Sequence, residues 1–134
     1  MGVIIFIISR YFYQIGIVNG VSMYPTLKDK QIVLIKKYNL NLTNNDIIVI
    51  KKNKRIIIKR LIGLPNDTIK INQYVYVNGN KNDEIITNKQ EKSEFFLKEG
   101  EYFVLGDNRD ESIDSRFDEI GIIYEDEIIG KVIK

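Results

Sequence analysis

The feature that most restricts how this chain can fold is a series of short isoleucine- and valine-rich runs, each soon broken by turn residues. They read "GIV" at 16–18, "QIVLI" at 31–35, "DIIVI" at 46–50, "RIIIKRLIGL" at 55–64, "TIKI" at 68–71, "YVYV" at 74–77, "YFVL" at 102–105 and "EIIGKVI" at 127–133. β-Branched side chains suit a pleated, half-buried surface, so runs of this length with turns between them predict an all-β domain of antiparallel sheets. Asn78-Gly79, directly after "YVYV", is a hairpin turn, because both residues tolerate positive φ. Residues 80–100 are polar and lysine-rich, with only "EII" and "FFL" as apolar islands, and are expected to form a small hairpin region carried on the main sheet. The asparagine-rich stretch 38–46 reads as a plain connection. With 134 residues, 44% of them hydrophobic, the chain can bury roughly two-thirds of its unfolded surface in one core.

What is missing narrows the chemistry further. Net charge is only +2, and the lysines are scattered among acids, so no clustered basic footprint for nucleic acid exists. There is no cysteine, which removes disulfides, thiol nucleophiles and thiolate metal sites. There is no histidine either, which removes the commonest general base and zinc ligand. Residues 105–119, "LGDNRDESIDSRFDE", resemble a calcium loop at first, with Asp110, Ser112 and Asp114 at alternate positions. Ser115 stands where such a loop needs its glycine, however, and Gly121 where it needs its bidentate glutamate. Neither a metal nor another cofactor is expected.

The chain begins with "MGVIIFII", apolar from 1 to 8, and the apolar character continues past Ser9 and Arg10 to residue 18. A membrane span needs about 20 such residues. Three readings are open: part of a membrane anchor, a short interfacial anchor with Tyr11, Phe12 and Tyr13 as an aromatic belt, or a buried strand. A cleaved secretory signal fits less well, lacking a basic start and a small-residue cleavage site.

Ser22, in "VSMYPTLKD" at 21–29, could be a nucleophile only if a base within hydrogen-bond reach takes its proton. Without histidine, that base is a carboxylate or a lysine. In the run 55–64, period-2 alternation puts Ile57, Lys59 and Leu61 on one face and Ile56, Ile58, Arg60 and Ile62 on the other. A strand apolar on both faces is normally central and covered, so Lys59 and Arg60 either pair or reach outward. Burial beside isoleucine and leucine would favour the neutral amine, which makes Lys59 the lysine best suited to act as a base in a Ser–Lys dyad. The segment 105–119 could supply polar partners, with Asp114 facing Arg60 and Ser112 bonding the Lys59 amine.

Three stretches, "SMYPTL" at 22–27, "IKRLIGLPND" at 58–67 and "GDNRDESIDSR" at 106–116, resemble in order and spacing the signature boxes of bacterial type I signal peptidases. These are serine endopeptidases that remove signal peptides from secreted proteins. With "IVNG" before and "IIGKVI" after, the resemblance extends over nearly the whole chain from about Ser9. It implies a β-rich catalytic core over 19–134, preceded by a single-pass membrane anchor, part of it within 1–18, with the catalytic domain on the extracytoplasmic side of the cell membrane. By motif position it implies Ser22 as nucleophile and Lys59 as general base. Ser112 would position the lysine amine, Asp114, Arg116 and Arg60 would form a supporting charge network, and Asp107 and Arg109 would hold the last box. Met23 and Ile58 would line the substrate cleft. Implied partners are secretory preproteins and membrane lipid, and the implied state is a monomer without cofactor. This chain departs from the pattern at Asn45 and Asn66, where glycines are usual, so both must tolerate a left-handed backbone. At Gly20 some members carry a hydroxyl, so here the oxyanion hole would rest on backbone N–H groups, that of Ser22 included.

Two rival readings remain at this stage. A self-cleaving domain of the kind found in SOS-response repressors shares the dyad, but the apolar start, "PTL" after the serine and the last box speak against it. A catalytically silent domain that binds peptides by strand addition would have no use for the dyad.

Overall fold

The computed structural model describes residues 11–88 and 93–133. Within them the chain is built almost wholly of antiparallel strands, as the β-branched runs foretold. The strands are β1 (Tyr13–Ile17), β2 (Ile32–Lys36), β3 (Ile47–Lys52), β4 (Arg55–Gly63), β5 (Thr68–Ile71), β6 (Val75–Val77), β7 (Asn80–Lys81), β8 (Ser93–Phe96), β9 (Glu101–Leu105), β10 (Ile123–Tyr124) and β11 (Ile128–Val132). A seven-stranded sheet runs in the order β1-β2-β11-β3-β4-β9-β10, and a four-stranded one in the order β7-β6-β5-β8. The carboxyl-terminal strand β11 is inserted between β2 and β3, so the last residues of the chain lock its first half together.

Alternation decides which side chains form which core. On β3, Ile48 and Ile50 join Leu61, Val104 and Ile123 in one cluster, while Val49 between them joins Val18, Met23, Leu27 and Val33 in another on the opposite face. A third cluster, Ile62, Ile69, Ile71, Val75 and Phe103 among its members, joins the two sheets. Each such side chain contributes about 1.5–3 kcal/mol when fully buried. Close approach of the sheets requires Gly63, where a Cβ would lie 2.6 Å from Leu97 Cδ1 and 2.8 Å from Ile69 Cδ1.

Asn78 (φ 51°) and Gly79 (φ 86°) make the tight turn between β6 and β7. The inserted region takes a form the composition of 80–100 did not define. Its described strands β7 and β8 are the outer strands of the small sheet, whose inner strands β5 and β6 come from residues before 80. The reason lies in side-chain type: the outer strands carry a mostly polar sequence, whereas β5 and β6 bring the isoleucines and valines that face the core.

The apolar amino terminus is not one element. Residues 1–10, on which the anchor reading chiefly falls, lie outside the described residues. Residues 13–17 form β1, the edge strand of the seven-stranded sheet, and Val18 is buried beside Met23. Phe12 and Tyr13 pack on Tyr38, with ring centroids 4.6 and 5.6 Å apart. Among the described residues no helix is long and apolar enough to cross a membrane.

Candidate active site

Ser22 lies in the loop between β1 and β2, a chain of turns closed by Tyr24 N–H on the Val21 carbonyl (3.1 Å) and Leu27 N–H on the Met23 carbonyl (2.9 Å). This loop is fastened to the segment after β9. Asn108 donates its backbone N–H to the Ser22 carbonyl (2.9 Å) and its side-chain amide to the Val21 carbonyl (3.0 Å). The Thr26 hydroxyl donates to Asp107 Oδ2 at 2.6 Å. Gly106 permits the contact, because a Cβ there would collide with Ser112 Oγ and come within 2.7 Å of the Ser22 carbonyl oxygen. Before the serine, Gly20 takes a φ of 98° and donates its N–H to Asp29. The Ser22 N–H has no protein acceptor among the described residues.

Lys59 sits on β4, a central strand hydrogen-bonded to β3 and β9, opposite Ile48 in the register. It is only 5% exposed. Its amine donates to Ser112 Oγ at 3.0 Å, and that hydroxyl donates to Asp114 Oδ2 at 2.9 Å. Asp114 is fully buried and accepts two further bonds from the Arg116 guanidinium, 2.7 Å from Nε and 2.9 Å from Nη2, one from the Arg116 backbone N–H and one from Gly106 N–H. The Lys59 amine therefore touches a hydroxyl, with the nearby carboxylate already engaged by a guanidinium. Burial pushes the Lys59 pKa down from the usual lysine value; Asp114 pulls it back up and Arg116 lowers it again, for a net decrease.

The charge network differs from the expected pairing of Asp114 with Arg60. Arg60 instead grips Asp107 through Nε (3.1 Å) and Nη2 (2.6 Å), while Asp114 pairs with Arg116. Neighbouring residues on a strand point to opposite faces, so Lys59 and Arg60 reach different parts of the segment 106–116. Burial raises the Asp107 pKa, but hydrogen bonds from Arg60 and Thr26 and the charges of Arg60 and Arg109 outweigh it, for a net lowering. Arg109, with its side chain 1% exposed, donates to the Gly106 carbonyl and to Asp83, tying the segment after β7 to this site.

Several of these residues carried no site reading in the sequence. Thr26 stood within a quoted motif, but nothing in its type announced a partner 81 residues away. Asn45, in the stretch taken as plain connection, uses its carbonyl to accept from Arg60 Nη1 at 2.7 Å, and its side chain accepts from Asn82. Asn45 and Asn66 do adopt positive φ, 76° and 73°.

Ser22 and Lys59 share the wall of one cleft of about 530 Å³. Met23 and Ile58 line it as well, and both pack in the cluster beneath it. A buried amine with a lowered pKa and a serine lining the same cleft can act chemically as base and nucleophile.

Comparison with known proteins gives a consistent result. The family described as "Signal peptidase, peptidase S26" matches residues 1–134. Signal peptidase I U of Bacillus subtilis (strain 168) is 41% identical over 145 aligned residues, covering 95% of this chain and 77% of that protein. Signal peptidase IB of Staphylococcus aureus is 34% identical, covering 97% of this chain and 81% of that protein. The crystal structure of a signal peptidase I from Enterococcus faecalis V583 superposes with a TM-score of 0.58 at 29% identity, over 69% of this chain and 97% of the other.

Proposed function

The chain belongs to the signal peptidase S26 family, and on that premise we propose that it cleaves signal peptides from secretory preproteins with Ser22 as nucleophile and neutral Lys59 as general base. The observation that carries this reading is the buried Lys59 amine, bonded to Ser112 and sharing a cleft with Ser22.

The preprotein lies extended between β4 and the segment before Ser22, pairing main chain to main chain. Small side chains just before the cut, of the A-x-A type, fit the apolar floor that Met23 and Ile58 help form. Lys59 takes the hydroxyl proton as Ser22 Oγ attacks the scissile carbonyl. The developing oxyanion accepts from the Ser22 N–H. The Lys59 ammonium then protonates the departing amine, which leaves the signal peptide as an ester on Ser22. Neutral again, Lys59 deprotonates a water that attacks this ester, and the proton returns to Ser22 as the acid product leaves.

Ser112 and Asp114 aim the amine. Asp107, Arg60 and Arg109 hold the segment that carries them. Membrane attachment fits the same function: residues 1–10 supply apolar length, and Ile15, Ile17, Ile32 and Leu34 form exposed cross-strand pairs on the edge of the main sheet, suited to lie against lipid. The enzyme then acts as a monomer, with its catalytic domain on the extracytoplasmic side.

The test is cleavage of a preprotein bearing an A-x-A site by the wild type, Ser22→Ala and Lys59→Ala. Each variant is expected to lose at least about 10³-fold in kcat/KM. Substantial turnover by either would contradict the assignment.

A further inference from the structure

The cleft holds few charges. Among its described lining residues, Glu111 is the single acid, and Lys37 and Lys59 are the bases. Lys59 is only 5% exposed, whereas Glu111 and Lys37 are exposed, so these two present charge at the surface of the cleft. Glu111 belongs to the 3-10 turn Arg109–Glu111, closed by its own N–H on the Asn108 carbonyl at 2.9 Å. That turn leads straight into Ser112, the residue holding the Lys59 amine, so the position of Glu111 is tied to that of the dyad. The Glu111 side chain is exposed and forms no ion pair among the described residues. Glu111 makes no hydrogen bond or ion pair with Lys59 among the described residues. A carboxylate fixed at the cleft, yet needed neither by the buried network nor by the base, is free to meet substrate.

Its place in the cleft says which part of the substrate it meets, given the function proposed above, on which this inference rests. Residues before the cut run beside Ile56–Ile58 on β4 and the 17–20 segment. Lys59 follows them along β4, where its ammonium must reach the leaving amine. Glu111 lines the same cleft, one residue along the chain from the hydroxyl that holds that amine. We infer that Glu111 is a specificity residue that reads charge at the start of the mature chain, favouring lysine or arginine over glutamate or aspartate in the first two positions after the cut. A partly solvated pair of unit charges a few ångströms apart corresponds to a preference of about three- to tenfold for each charge step.

The experiment measures kcat/KM for three peptides with one A-x-A signal region and Lys, Gln or Glu in the two positions after the cut. The wild type is expected to rank them Lys, Gln, Glu, and the spread should shrink in about 1 M salt, where the screening length falls to ~3 Å. Glu111→Gln should bring the Lys-to-Glu ratio near one, and Glu111→Lys should invert it. Equal rates for all three peptides in the wild type would overturn the inference, as would a preference unmoved by salt and by both substitutions. If the Gln peptide is not cut by the wild type at all, the proposed function itself fails and takes this inference with it.

Discussion

Asp107 and Asp114 lie in the same polar segment, both accept a guanidinium in two hydrogen bonds, and they do opposite kinds of work. Asp107 reaches outward, taking Arg60 from β4 and Thr26 from the loop between β1 and β2, so it joins three parts of the chain distant in sequence. Asp114 pairs with an arginine two residues away and spends its remaining acceptor capacity on Ser112 and Gly106. Its charge raises the Lys59 pKa, and that of its partner Arg116 lowers it. One aspartate assembles the site, while the other steadies the hydroxyl bonded to Lys59. Two carboxylates of equal type are thus set apart by where their arginines come from.

The contrast can be broken from either side. Asp107→Ala leaves Arg60 unpaired in a half-buried setting and should lower stability by about 3 kcal/mol, read as a drop in the midpoint of thermal or urea unfolding. Asp107 also contributes acid sensitivity. Its folded pKa is below the unfolded value of ~3.9, so its contribution is present above that value and lost as pH falls through the folded one. In Asp107→Asn this part of the acid limb should vanish, and an unchanged limb would show the pairing to be energetically idle. The effect of Ser112→Ala is expected in kcat, on the order of 100-fold down with little change in KM, because the amine loses its aim while the cleft keeps its shape. A loss confined to KM would place Ser112 in substrate binding instead. The smallest and most discriminating effect is a shift in the pH profile. Asp114 pulls the Lys59 pKa up, so Asp114→Asn should move the alkaline rise of kcat/KM to lower pH, whereas Asp107→Asn should leave its midpoint in place. Equal shifts in both variants would erase the distinction between the two aspartates.

Most of the strand inventory was legible in the sequence because isoleucine and valine do little else so well. The runs at 31–35, 46–50, 55–64 and 68–71 coincide closely with β2 to β5. Pairing order was not legible. Nothing local in "EIIGKVI" says that it enters between β2 and β3, since alternation assigns faces and not neighbours. The strand β7 was implied only by the Asn78-Gly79 turn, and the two-residue strand β10 was missed for lack of any run to see. At the site, Lys59 stood out as a charge on an apolar strand, and its bond to Ser112 is present. The arginine partners were exchanged because a motif orders residues along the chain, while ion pairs depend on which way each side chain leaves its strand. Asn45 was read only for its left-handed backbone, because its contribution to Arg60 comes from a backbone carbonyl, which every residue type possesses.

The central claim is that burial keeps the Lys59 amine neutral enough to take the Ser22 proton. The most direct measurement is the pH dependence of kcat/KM for a signal-peptide substrate. Only neutral Lys59 can accept a proton, so activity should rise with pH through the folded lysine pKa, with a midpoint below the ~10.4 of a free lysine. A profile with its midpoint at ~10.4, or one with no ionisation on the alkaline side, would contradict it.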